Sequence, residues 1–204
     1  MYKYPVIVFE GIETSGKSTN INIATKYLKK NKKSFIKLRE PGGTAFSEQI
    51  RKLLLNKKLK LGSKTDLMLF YAARSENFEK IIKKNYKRKI ILIDRFTDST
   101  TAYQHYGMNI SLKIIKILNK FIIGNFKPNI TFLSTINIRN LKLRLNKRIK
   151  LNRYDRFKLK FYAKVQKGYY KISKKSKNYI IIDSNKKTIK DVKKIIINKL
   201  EEII

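Results

Sequence analysis

Apolar residues in this chain fall into two kinds of run. Five are short and nearly continuous: Tyr4–Glu10, Ser34–Arg39, Lys89–Asp94, Ile130–Ser134 and Tyr179–Asp183. Such runs read as strands buried on both faces. The longer segments between them repeat apolar residues at helical spacing: Lys17–Lys30, Ser47–Leu55, Thr65–Lys84, Ser111–Phe126, Arg139–Lys150, Arg156–Ser173 and Lys187–Ile204. Strands alternating with helices imply an α/β fold, a parallel sheet covered on both faces. Ligands of such sheets bind at the carboxyl ends of the strands. Here those ends carry Glu10, Arg39, Asp94 and Arg95, so the polar residues able to do chemistry converge on one edge.

The 204 residues suit one domain with at most a small mobile insert. There is no internal repeat and no Pro/Gly/Ser linker, and the Lys-rich stretches Lys57–Lys64 and Lys171–Lys177 read as solvated helix ends or loops. The chain has no Cys, which excludes a disulfide framework or a Cys-ligated metal and fits a reducing compartment. The opening run MYKYPVIVFEG is short, ends in Glu10 and lacks a small-residue cleavage pattern, so it reads as a strand and not a signal peptide. No apolar stretch approaches the roughly 18 residues of a membrane span. A soluble, cytoplasmic protein is expected.

The charge is unusual: 49 basic residues against 14 acidic, a net +35. A nucleic-acid-binding protein would show such a balance. The lysines, however, are spread along the chain, without a stripe of interleaved aromatics, and accompany a general enrichment in Ile and Asn. Biased composition explains this better than a designed patch. Nonspecific attraction of polyanions is expected, specific nucleic-acid recognition is not.

Gly11-Ile12-Glu13-Thr14-Ser15-Gly16-Lys17-Ser18 fits G-x-x-x-x-G-K-[ST] with no mismatch, between an apolar strand and a helical segment. Backbone N–H groups of such a loop cradle phosphates, aided by the dipole of the following helix. Lys17 would span the β- and γ-phosphates of ATP, and the Ser18 hydroxyl would hold Mg2+. Asp94, at the end of the third apolar run, is placed to hold the same Mg2+ or to cap a following helix. In a Lys-rich chain the arginines are the informative cations, because the planar guanidinium grips phosphate oxygens in pairs. They are Arg39, Arg51, Arg74, Arg88, Arg95, Arg139, Arg144, Arg148, Arg153 and Arg156.

Taken in order, Phe9-Glu10-Gly11 with its loop, Arg39-Glu40-Pro41-Gly42-Gly43-Thr44, Leu69-Phe70-Tyr71-Ala72-Ala73-Arg74, Asp94-Arg95-Phe96-Thr97-Asp98-Ser99-Thr100-Thr101-Ala102-Tyr103-Gln104 and a stretch from Arg148 to Asp155 resemble the thymidylate kinase family along nearly the whole chain. The combination R-E-P-G-G, F-x-A-A-R and D-R-x-x-x-S-x-x-A-Y-Q is specific to it. The resemblance implies a three-layer fold with a five-stranded parallel sheet, one domain over residues 1–204 and a lid at about 144–156. It implies ATP and dTMP as substrates, and a homodimer for which the helix Thr65–Lys84 offers an apolar face.

Residue by residue, the resemblance assigns Gly11 through Thr19 to ATP. Phe70 would stack on thymine. Arg74, Gln104 and Thr100 would meet the base edge, and Arg51 would line that pocket. Tyr103 would lie under the sugar, and Glu13 would approach the 3′-hydroxyl or a metal. Arg39 and Arg95 would hold the acceptor phosphate, and Glu10 would support the loop. Where one group of the family carries an Arg in the phosphate loop, this chain has Thr14, which assigns catalysis to the lid: Arg148 and Arg153, beside Lys17 and Arg95. Asn152 and Asp155 depart from the family's D-R-x-E. On this reading Arg153→Ala lowers kcat severely while dTMP still binds. The nearest rival is a deoxyribonucleoside kinase, with Glu40 as the base that a sugar hydroxyl requires. Against it, a neutral nucleoside needs fewer cations than Arg39, Arg74 and Arg95 provide.

Overall fold

The computed structural model describes residues 3–204. Five strands, β1 (Val6–Glu10), β2 (Phe35–Arg39), β3 (Ile90–Asp94), β4 (Ile130–Thr135) and β5 (Tyr179–Asp183), form one parallel sheet in the order β2-β3-β1-β4-β5. Each apolar run of the sequence is one of these strands. Period-two alternation sends Ile7 and Phe9 to one face of β1 and Val6 and Val8 to the other, and all four are buried. That is why the central strands read as continuous apolar sequence. Burying a side chain of this size contributes about 1.5–3 kcal/mol.

Helices cover both faces. Ile21, Ala24 and Leu28 of α1 (Lys17–Lys30) join Val192, Ile196 and Leu200 of α9 (Ile189–Ile203) over Ile7 and Phe9. On the other face lie α2 (Ala45–Leu55), α3 (Ser63–Asn77), α4 (Lys83–Asn85), α5 (Thr97–Thr100), α6 (Leu112–Ile123), α7 (Ile138–Asn146) and α8 (Leu159–Ser173).

Two departures from the sequence pattern bear on the site. The expected helix Thr65–Lys84 is three pieces, because a wider π turn, Phe78–Ile82, joins α3 to α4. A helical stretch that the apolar spacing did not mark, and that the sequence suggested only through Asp94 as a cap, follows β3: α5 continued by a π turn at Thr101–Gly107. Its Thr/Asp/Ser sequence carries no long apolar stripe. Its first turn is held from afar, because the Glu10 carboxylate accepts from the Phe96 amide at 2.8 Å and the Ser99 amide at 3.2 Å. The expected helix Arg139–Lys150 stops at Asn146, and a 3-10 turn at Arg153–Arg156 precedes α8.

Candidate active site

The phosphate loop joins β1 to α1. Gly11 takes φ 136°, and a Cβ there would lie 2.2 Å from the Ser134 carbonyl oxygen, so only glycine fits against β4. Gly16, at φ 99°, starts α1 with no side-chain cap, leaving the first-turn N–H groups for an anion. Thr14 holds φ 53°, a strained value for a β-branched residue. Its carbonyl accepts from Arg144 of α7 at 2.9 Å, and the Ser15 carbonyl accepts from Ser184 after β5. The loop's shape is thus maintained by distant elements as well as by its own glycines. Lys17 Nζ donates to the Ile12 carbonyl at 2.9 Å, and burial, then the charge of Arg95, lowers its pKa to about 8.

Behind the loop stands a buried polar network. The Glu10 carboxylate also accepts from the Ser99 hydroxyl at 2.6 Å and the Tyr169 hydroxyl at 2.9 Å. Burial raises its pKa. Arg95 stands at φ 67°. Its guanidinium donates to Ser99 Oγ at 3.2 Å, to the Tyr169 hydroxyl at 3.4 Å and to Glu13 at 3.1 Å, and lies 5.2 Å from the Tyr103 ring centre. Tyr103 donates to Glu13 at 2.6 Å. Five polar side chains therefore converge on one arginine or its partners, which offsets the strain of its backbone.

A cavity of about 440 Å³ opens beside the loop. Its lining includes Lys17 and Ser18 of the loop, the cations Arg39, Arg51 and Arg95, and Phe70, Tyr103 and Gln104. Arg51 donates to the Pro41 carbonyl at 2.9 Å, and burial, then the charge of Arg39, lowers its pKa to about 10, so it stays charged at neutral pH. Arg39 pairs with Glu48 at 3.0 Å. The buried Arg74 donates to Glu40 at 2.8 Å, to Thr100 Oγ1 at 3.0 Å and to the Phe96 carbonyl at 3.0 Å. Phe70 meets Tyr154 edge-on at 5.9 Å. Mutually repelled, partly desolvated cations favour a bound anion, and the aromatic rings in the same lining suit a flat base.

Most residues singled out in the sequence line this one cavity: Glu13, Thr14, Gly16 through Thr19, Arg39, Arg51, Phe70, Arg74, Asp94, Arg95, Thr100, Tyr103, Gln104 and Arg148. Two loop positions contribute backbone only, since the Ile12 side chain is core and the Ser15 hydroxyl turns back to the Ile12 carbonyl at 2.8 Å. Arg153 is not where a phosphate-reaching residue was expected. Its guanidinium bonds Asp66 of α3 and donates to the Leu54 carbonyl of α2 at 2.8 Å. Buried acceptors on that side outcompete solvent and hold it there. Arg148 lines the cavity and pairs with Asp155, which also accepts from the Asn152 amide at 2.9 Å to cap the 3-10 turn. Glu40, the base that a nucleoside acceptor would require, is buried against Arg74. Arg144, Asp66 and Tyr169 were missed as site residues. Only the count of arginines pointed to the first, and nothing local marked the other two.

Asp94 Oδ1 is buried with no hydrogen-bond partner. It lines the cavity with the Ser18 hydroxyl. An orphaned carboxylate oxygen and a hydroxyl beside a phosphate cradle suit Mg2+, which keeps several waters and takes few protein ligands.

A parallel sheet with this strand order, and a phosphate loop at its carboxyl edge that shares one cavity with a cluster of arginines, define a P-loop phosphotransferase. Residues 9–196 match the family model described as thymidylate kinase. Thymidylate kinase of Thermosipho africanus is 39% identical over 181 residues, 88% of this chain and 90% of that protein. That of Sulfurihydrogenibium sp. is 37% identical over 198 residues, 96% of each. The crystal structure of thymidylate kinase from Ehrlichia chaffeensis superposes with a TM-score of 0.77 at 34% identity, covering 97% of this chain and 98% of that one. The chain belongs to the thymidylate kinase family.

Proposed function

We propose that this chain transfers the γ-phosphoryl group of ATP to the 5′-phosphate of dTMP, giving ADP and dTDP. The observation that carries the reading is the meeting, in one cavity, of the phosphate loop with Arg39, Arg51 and Arg95 and an aromatic base pocket. An acceptor phosphate has its second pKa near 6, roughly, so it is already a dianion and needs no general base. The residues' work is positioning and charge stabilisation. The loop amides and Lys17 hold the donor. Arg95, braced by Glu13, Ser99 and Tyr169, aligns the acceptor. Phe70 stacks on thymine, Gln104 and Arg74 meet its edge, and Tyr103 bars a 2′-hydroxyl. The segment 144–156 acts as a lid that excludes water. Within it Arg148, and not Arg153, reaches the transferring group. Ser18 and Asp94 would hold Mg2+, which would neutralise phosphate charge when bound.

We further propose a homodimer in the cytoplasm. Ile114, Ile117 and Phe121 of α6 are exposed, the last at 85%, beside the exposed Met68 of α3. This apolar face extends the one expected from Thr65–Lys84. No helix among the described residues is long and apolar enough to cross a membrane.

The test is a steady-state assay with ATP and Mg2+ against dTMP, dUMP, dCMP, dGMP and thymidine. The expected outcome is dTDP from dTMP, slower turnover of dUMP and none of thymidine. Phosphorylation of thymidine, or no product from dTMP, overturns the reading.

A further inference from the structure

We infer that Asp66 is a positioning residue that decides which end of the Gln104 amide meets the acceptor base, and so sets the preference for thymine over cytosine. The inference rests on the dTMP kinase reading above and names a determinant of its specificity. Asp66 lies in the first turn of α3 and is wholly buried. Its Oδ2 accepts from Gln104 Nε2 at 3.2 Å and from the Tyr154 hydroxyl, and its Oδ1 accepts from Arg153.

A carboxylate between a guanidinium and a phenol only accepts hydrogen bonds. It therefore dictates that the NH2 of Gln104 faces Asp66. The carbonyl oxygen is then the free end, and Gln104 lines the cavity beside Phe70 and Tyr154. Thymine and uracil offer an N3–H to an acceptor placed there. Cytosine offers a bare N3, and two lone pairs would oppose each other. A site that hydrogen-bonds one ligand rejects its analogue strongly when a polar group is left unpaired. Without Asp66 the amide is free to turn over and donate to cytosine N3. The same carboxylate holds the 3-10 turn of the lid through Arg153 and Tyr154, so a loosened lid must be told apart from a turned amide.

Asp66→Asn provides the test, since the asparagine amide both donates and accepts. The kcat/KM ratio of dTMP to dCMP is expected to fall about tenfold, with Arg74 still disfavouring the cytosine amino group. The ratio of dTMP to dUMP, which share N3–H, is expected to stay within about twofold. Tyr154→Phe removes only the lid contact and is expected to raise KM for dTMP with the dCMP ratio unchanged. The inference is overturned if Asp66→Asn keeps the dCMP ratio, shifts both ratios alike, or is matched by Tyr154→Phe. If Asp66→Asn does not fold, the Gln104 side-chain amide of the wild-type protein is followed by 15N NMR, assigned by its loss in Gln104→Leu. One of its protons should resist exchange with and without dTMP, and free exchange of both overturns the inference. A wild-type chain that makes no dTDP would instead sink the kinase reading.

Discussion

Glu10 and Tyr169 stand 159 positions apart in the chain and are joined by a 2.9 Å hydrogen bond donated by the tyrosine. The same hydroxyl lies 2.7 Å from Ser99 Oγ, and both Ser99 and Tyr169 receive N–H groups of Arg95. Helix α8 thereby sets the direction of the arginine proposed to align the acceptor. Tyr169→Phe keeps the ring and removes the hydroxyl. It is expected to raise KM for dTMP about three- to tenfold, the value of one hydrogen bond, with KM for ATP unchanged. Equal changes in both Michaelis constants would mark a general loss of packing.

Arg148 and Arg153 should separate kinetically. Arg148 lines the cavity, whereas Arg153 is tied to Asp66 and Leu54. Arg148→Ala is expected to lower kcat by about 10² to 10³ with modest change in KM. Arg153→Ala is expected to raise KM for dTMP, through Asp66 and Tyr154, with a smaller effect on kcat. The reverse pattern would return Arg153 to the phosphates.

On the proposed mechanism, Lys17 sets a pH limit on donor binding. Burial and the neighbouring Arg95 bring its pKa to about 8. Below that value the ammonium meets the triphosphate, and above it the neutral amine does not. The ATP dissociation constant, measured by calorimetry from pH 7 upward, should rise through pH 8 and approach about tenfold per pH unit. Because bound triphosphate restores the proton, kcat at saturating ATP should change less. Lys17→Ala should abolish transfer.

Asp98 makes stability depend on pH. Burial, then the nearby Glu10, raises its pKa to about 7, while Tyr179 donates to it at 2.5 Å. The folded value lies above that of the unfolded chain, so folding takes up a proton between them. Stability from this group is full below about pH 4 and is lost as pH rises through 7. Asp98→Asn preserves shape and removes the titration. Denaturant midpoints at pH 5 and pH 8 should differ less in the variant, the slope falling by at most roughly 1 kcal/mol per pH unit. Identical slopes would show that Asp98 stays ionised in the fold.

The linear chain by itself determined the strands, because a strand covered on both faces must be apolar at every position, as Val6–Phe9 and Ile90–Ile93 are. It determined the phosphate loop too, whose geometry demands glycine at fixed offsets. The family's acceptor motifs were equally legible, being short and contiguous. Only tertiary structure decided the rest. The helix from Thr97 has no apolar stripe to announce it and depends on Glu10 for its first turn. Arg148 and Arg153 look equivalent in sequence, and the buried acceptors Asp66 and Leu54 claim one of them. Tyr169 and Asp66 gain their roles from partners far away in the chain, and a hydrogen bond across such a separation leaves no periodicity to read.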